Sequence, residues 1–135
     1  MAQMNGNLDS YFTHVQAAGN LHSPDHARSW STAAMRTLGF HLDRSTKKAL
    51  SQALPADLAY ELTRVFWLLH FRNPNLPLED FLYQVARRSG NTDVDFARFP
   101  TTAVFGAVKQ IIDQGLANRV AASLSPEVRT LWQQA

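Results

Sequence analysis

The sequence predicts an all-α protein of about eight helices, arranged as two pseudo-symmetric four-helix units from an internal duplication. Three observations carry this prediction. Apolar residues recur at the three- and four-residue spacing of amphipathic helices. Helix start and stop signals are frequent, whereas the alternating pattern of strands is nearly absent. The 135 residues fit a single domain, with repeat unit one over about 8–69 and repeat unit two over about 79–134.

Start and stop residues delimit the helices of the first unit. We predict that Asn7 or Asp9 opens the first helix and that Gly19 ends it. Ser23-Pro24-Asp25 predicts the start of the second helix, because serine caps, proline suits the first helical position and the acid faces the positive helix end. The second helix is predicted to end at about residue 42, and two further helices are predicted over 45–53 and 56–69.

The second unit repeats this order after a connector at 71–78, which contains two prolines and two asparagines. Helices are predicted over 79–90, 93–113, 116–123 and from residue 125 onward. Pro100 falls inside the longest of these segments. Proline within a helix removes a backbone hydrogen bond and clashes with the preceding turn, at a cost of about 3 kcal/mol. We therefore predict that the long helix either starts afresh at Pro100 or kinks there, and we favour the fresh start.

A shift of seventy residues aligns the two halves without gaps. Between 25–58 and 95–128, seven of thirty-four pairs are identical, where chance gives roughly two. The identical pairs are Asp25/Asp95, Ala27/Ala97, Arg28/Arg98, Thr32/Thr102, Ala33/Ala103, Asp43/Asp113 and Leu54/Leu124. The copies disagree at Trp30/Pro100, His26/Phe96 and His41/Ile111. If the protein has a specific site, we expect it first among the positions that break the repeat.

The same layout resembles a known bacterial family. The stretches that carry the resemblance are 50–58 (LSQALPADL), 120–128 (VAASLSPEV) and 81–86 (FLYQVA). Together with the repeated helical order, they resemble the family catalogued as domain of unknown function 2267, over about residues 8–133. The resemblance implies an all-helical duplicated fold, and it implies no activity.

Composition and charge exclude several classes of protein. The longest apolar run is far shorter than the roughly 20 residues of a membrane-spanning helix, and the N-terminus lacks the pattern of a secretory signal. The chain has no cysteine, which excludes disulfides and thiolate metal sites and fits a cytoplasmic location. The net charge of +2 is weak evidence for a polyanionic partner.

His22, Asp25 and His26 form the one cluster with metal-ligating side chains. The two histidines are spaced to share a helix face beside the acid, so a metal- or small-ligand-binding protein is an alternative function. A metal needs three or four ligands, and the second copy has Thr92 and Phe96 at the matching positions. A polar helix start explains these residues more simply, and we predict no metal and no cofactor.

No motif for catalysis stands out. The acids at 79–80 and 93–95 sit at predicted helix starts, where the helix dipole favours carboxylates without any catalytic role. Ser89-Gly90 lacks the context of a nucleophile, and there is no glycine-rich phosphate loop. The sequence therefore favours a non-enzymatic protein, without excluding an enzyme.

Basic residues concentrate in the first copy, at Arg28, Arg36, Arg44, Lys47 and Lys48. A nucleic-acid-binding protein presents a dense basic face, usually with a recognition helix. Five cations among polar residues are more simply a solvated face, so weak nucleic-acid binding is the lesser alternative.

The segment 65–71 (VFWLLHF) is apolar nearly all round, whereas a surface helix needs an apolar stripe on one side only. It either lies buried between the two copies or covers a partner. Phe66, Trp67 and Phe71 are the interface candidates, because aromatic side chains are favoured at interface cores. The leading functional prediction is a protein-interaction module, self-associating as a homodimer or binding another protein.

Overall fold

The computed structural model describes residues 2–64, 73–91 and 93–135, with side chains from residue 8 onward. Within these residues the chain forms eight α-helices and no strand. The helices are α1 (Ala2–Ala18), α2 (Pro24–His41), α3 (Arg44–Ala53), α4 (Ala56–Thr63), α5 (Leu78–Arg88), α6 (Val94–Ile111), α7 (Gln114–Ser123) and α8 (Pro126–Gln134). The predicted all-α class is therefore confirmed.

Side-chain caps fix the start of four helices. Ser23 accepts a hydrogen bond from the backbone N–H of His26 at the start of α2, as the sequence predicts. Asp43, Asp93 and Asp113 cap α3, α6 and α7 in the same way, each through the N–H three residues on. Each cap satisfies a backbone donor that has no partner inside the helix.

Two predicted helix starts are wrong. The first helix begins at Ala2, so Asn7 and Asp9 lie inside it; a residue that suits a cap does not stop a helix that is already under way. The long helix does not restart at Pro100 but runs from Val94, where Asp93 caps it. Pro100 is buried, and its Cα lies against the backbone of Gly19, so tertiary packing offsets the cost of the lost hydrogen bond.

The two long helices, α2 and α6, pack against each other at the centre of the molecule. α1 and α5 each pack against both of them, and α3 packs against α7. Large apolar side chains fill the space between the layers. The largest of those fully buried are Trp30, Trp132, Phe81, Phe105 and Met35.

Helix bounds recur at the interval of seventy residues. α2 and α6 begin at 24 and 94, α3 and α7 at 44 and 114, and α4 and α8 at 56 and 126. The packing partners recur as well, since α1 lies on α6 and α5 lies on α2. Duplication as the origin of this arrangement stays a prediction.

The two halves differ at the contact between each long helix and the last helix of its unit. Gly39 of α2 lets α4 approach so closely that a Cβ there would overlap the carbonyl of Leu62. Lys109 stands seventy residues on, in α6, and its Nζ donates to the carbonyls of Trp132 and Ala135 at 2.8 and 2.9 Å. A lysine thus satisfies the carbonyl end of α8 where the first half has direct backbone packing.

Candidate anion-binding site

Donor side chains on the last turns of α5, which packs against α2, surround a surface cavity of about 290 Å³. The described residues that line the cavity are Gln84, Arg87 and Arg88, all on the last turns of α5. Cationic side chains are favoured at a helix C-terminus because they face the negative end of the helix dipole. His41 of α2 donates from Nε2 to Gln84 Oε1 at 2.8 Å, which fixes the amide at the rim of the cavity.

Arg88 is held against α2 by two contacts. Its Nη1 donates to Thr37 Oγ1 at 2.9 Å, and its Cζ lies 5.8 Å from the centre of the Phe40 ring. Thr37 is fully buried, and its hydroxyl donates to the carbonyl of Ala33 in the same helix. This bond within α2 orients the hydroxyl oxygen that accepts from Arg88. Burial first, then the charges of Arg36 and Arg87, lower the pKa of the Arg88 guanidinium.

In the part of the chain that the structure describes, neither Arg87 nor Arg88 has an acidic partner. Among the described residues no carboxylate oxygen comes within 4.0 Å of either guanidinium. The residues whose side chains are not described (1–7, 65–72 and 92) include no aspartate or glutamate. Arg87 instead lies over the ring of Tyr83, with 5.7 Å between Cζ and the ring centre.

Two more arginines, Arg36 of α2 and Arg64 directly after α4, share one carboxylate of α4. Glu61 binds Arg36 at 3.1 Å and Arg64 at 3.9 Å, measured between nitrogen and carboxylate oxygen. We call Arg36, Arg64, Arg87 and Arg88 the arginine face. Its four cations and the single carboxylate of Glu61 leave three positive charges, whereas the whole chain carries a net charge of only +2.

A second cavity, of about 390 Å³, lies between α1 and α6 and corresponds to the first at the interval of seventy residues. His14 and Ala18 line it at the positions of Gln84 and Arg88, and Gly106 lines it at the position of Arg36. The same place in the fold is thus rich in arginine in one half and free of arginine among its described lining residues in the other. The packing of the helices does not require these arginines.

The predicted cluster of His22, Asp25 and His26 is brought together only in part. The rings of His22 and His26 stack with 5.3 Å between their centres and 15° between their planes. No group of three or more histidine, aspartate or glutamate side chains is placed to hold a metal ion anywhere in the described part of the chain. His26 Nδ1 is buried without a hydrogen-bond partner among those residues.

The predicted basic residues fall into separate environments. Arg28 lies over the ring of Phe12, and Arg36 pairs with Glu61. Arg44, Lys47 and Lys48 lie on α3, where burial and then the charge of Arg44 lower the pKa of Lys47. Arg36 alone belongs to the arginine face, so the predicted set does not form the surface that the structure brings together.

The interface candidates Phe66, Trp67 and Phe71 lie outside the described residues. Large apolar side chains that are exposed in the described part are Tyr60, Tyr83 and Phe99. Two of these stand beside the arginine face, since Arg64 lies 5.0 Å from the ring centre of Tyr60 and Arg87 lies over Tyr83.

Sequence reasoning missed Gln84, Arg87 and Arg88. In the sequence alone, adjacent arginines in the last turn of a helix do not indicate a site, because the helix dipole accounts for them. The repeat contained the missing signal: shifting by seventy residues sets Arg36 against Gly106, Arg87 against Ala17 and Arg88 against Ala18. Each pair places a cation against a small residue.

The sequence matches the family described as "Uncharacterized conserved protein (DUF2267)" over residues 9–131. The chain therefore belongs to this family, as its resemblance implies. No match was found among the curated proteins. Within the described residues, no helix has both the length and the apolar character needed to cross a membrane.

Proposed function

We propose that the protein is a non-enzymatic interaction module that binds an acidic segment of another protein through the arginine face. The observation that carries this proposal is that Arg87 and Arg88 pair with no described acid, while their neighbour Arg36 shares the single carboxylate of Glu61 with Arg64. Complementary charge steers a partner to such a surface and fixes its orientation. A carboxylate-rich segment supplies the acceptors that these donors lack.

The aromatic residues beside the face support a protein partner. Tyr60 and Tyr83 are 58% and 48% exposed, which is high for large rings, and each carries an arginine over its face. Tyrosine and arginine are the residue types most enriched in the energetic centres of protein interfaces. An acidic segment with apolar side chains can pair its charges with the guanidinium groups and pack against these rings.

The chemistry of the face favours binding over catalysis. Guanidinium groups stay protonated at neutral pH, and an amide neither gains nor loses a proton there. Arg36, Arg64, Arg87, Arg88 and Gln84 therefore supply charge and hydrogen bonds rather than acid–base chemistry. As part of the same proposal we place the protein in the cytoplasm, because the chain contains no cysteine.

The proposal is tested by the fluorescence anisotropy of a short, labelled, glutamate-rich peptide. We expect binding that weakens as salt rises, and a loss of at least about tenfold in affinity for Arg36→Gln/Arg87→Gln. The matched control is Arg44→Gln/Lys48→Gln, which removes the same charge from exposed positions of α3 and is expected to change affinity by less than about twofold.

Two results would contradict the proposal. One is an absence of peptide binding at low salt. The other is an equal loss of affinity in both double variants, because the effect would then come from net charge alone. Duplex DNA serves as a competitor of the peptide. If the protein binds DNA more tightly than the peptide, and Arg44→Gln/Lys48→Gln lowers the affinity for DNA, nucleic-acid binding through α3 would be favoured instead.

Self-association through Phe66, Trp67 and Phe71 is the second form that an interaction module can take. Its support is the sequence alone, in which these residues lie in a segment that is apolar nearly all round. Light scattering tests it directly. A mass of 15.1 kDa at high protein concentration, the mass of one chain, would refute a homodimer.

A further inference from the structure

The described residues that line the cavity at the end of α5 are hydrogen-bond donors. Arg87 and Arg88 carry donors only, and Gln84 uses its Oε1 to accept from His41, which leaves the NH₂ group of the amide as a third donor at the rim. Two unpaired positive charges beside three donor groups match an anion that carries two negative charges and several oxygens. A single carboxylate supplies half of that charge.

The cavity is also organised before any ligand enters. The hydroxyl of Thr37 and the ring of Phe40 hold the Arg88 guanidinium at 2.9 and 5.8 Å, and Tyr83 supports Arg87. Side chains that are already ordered lose less conformational freedom when they bind, so the same hydrogen bonds give a higher affinity. The planar fork of arginine fits two oxygens of a phosphate at once.

The second cavity shows that the fold can form a cavity at the corresponding position without arginine among its described lining residues. Ala18 and Gly106 line it at the positions of Arg88 and Arg36. Gathering like charges carries a cost, visible in the pKa of Arg88, which burial and the neighbouring cations lower. A cost that packing does not require is most simply explained by a ligand that offsets it.

We propose that Gln84, Arg87 and Arg88 form a binding site for a phosphate monoester dianion, carried by the acidic segment as a phosphorylated side chain. This inference rests on the proposed function and names the ligand group that occupies its centre. The cavity of about 290 Å³ is at the lower end of the range of ligand pockets, which suits one side chain rather than a large molecule.

The test compares two forms of one glutamate-rich peptide, with a central serine or phosphoserine. We expect the phosphorylated form to bind at least about tenfold more tightly at pH 7.5. The preference is expected to shrink below about pH 6, where the phosphate becomes a monoanion while arginine stays charged. Arg88→Gln is expected to reduce the preference to less than about twofold, and Arg88→Lys, which keeps the charge without the fork, to an intermediate value.

Arg98→Gln is the matched control, because it removes one charge from an exposed position of α6 and should leave the preference intact. Equal binding of both peptides by the unaltered protein would overturn the phosphate site. If Arg36→Gln/Arg87→Gln still lowered the affinity for both peptides, the proposed function would stand without the phosphate site. Retention of the preference in Arg88→Gln with an unchanged helical circular dichroism spectrum would also overturn the site.

Inorganic phosphate, titrated alone by calorimetry, separates the two sources of the ligand. Binding much weaker than that of the phosphopeptide supports a phosphorylated protein segment. Binding as tight as that of the phosphopeptide would support the site but overturn the peptide as its source, in favour of a free phosphate compound.

Discussion

Replacing Gly39 by alanine is expected to destabilise the protein by about 3 kcal/mol, even though alanine is the better helix former by about 1 kcal/mol. An ideal Cβ at residue 39 would lie 1.9 Å from the carbonyl oxygen of Leu62 and 3.0 Å from its carbon. Real Cβ atoms essentially never approach another atom closer than 3.0 Å, so the backbone of α4 must move by about 1 Å or more.

The size of the loss follows from what α4 contributes. Leu58 and Leu62 are buried between α4 and the rest of the core, and each fully buried leucine contributes roughly 2 kcal/mol. A shift of α4 loses part of that burial and adds strain, which in overpacked cores costs about 1–3 kcal/mol. Together these losses exceed the gain in helix propensity.

The assay is urea denaturation followed by circular dichroism at 222 nm, beside thermal unfolding. For a chain of this length, a loss of about 3 kcal/mol lowers the melting temperature by roughly 10 °C. Gly106→Ala is the control, because its Cβ would meet nothing closer than 3.7 Å and alanine should stabilise α6 slightly. A Gly39→Ala variant as stable as the unaltered protein would refute the reasoning, since α4 would then not rest on the backbone of α2.

Two further predictions concern buried polar contacts. Tyr11 shares a hydrogen bond of 2.6 Å with Ser31 in the core, so Tyr11→Phe should lower the free energy of unfolding by about 1–2 kcal/mol in urea titrations at pH 7. Burial raises the pKa of Tyr11 above its usual 10.0, so the unaltered protein should lose stability as pH rises above about 10. If the Tyr11→Phe variant loses the same amount of stability over that pH range, Tyr11 is not the cause. Lys109→Met should lower the melting temperature by a few degrees, because the carbonyl groups at the end of α8 lose their lysine donor. The control is Lys48→Met at an exposed position, which should leave the melting temperature unchanged. Equal effects of the two substitutions would show that the contact of Lys109 with α8 does not stabilise the protein.

The sequence predicts the fold wherever the signal is local. Ser23 caps α2 as expected, since a cap needs only the next three residues of the chain. The failure at Pro100 has a non-local cause. Its packing partner is the backbone of Gly19, some eighty residues earlier, and no pattern around Pro100 reveals that contact.

The candidate site was hidden for the same reason. Arg36 and Arg88 are fifty-two positions apart, and they become neighbours only because α5 packs on α2. Before that packing is known, Arg88 is a cation at a helix end and Arg36 is one of several basic residues on α2. The interpretation of the first-copy basic residues as one face follows sequence order, whereas the arginine face combines residues from three helices.

The positions that break the seventy-residue repeat fall into two kinds, and only one kind indicates a site. Trp30 and Phe96, each of which breaks the repeat, pack against each other with 5.6 Å between their ring centres, so their difference maintains a shared core. Arg87 and Arg88 break it in the wall of a cavity, where the matching residues of the other half are Ala17 and Ala18. A core tolerates an exchange of side chains when the packing partner changes with it. The charges of Arg87 and Arg88 in the cavity wall have no acidic partner among the described residues, and this supports a bound anion as their compensation.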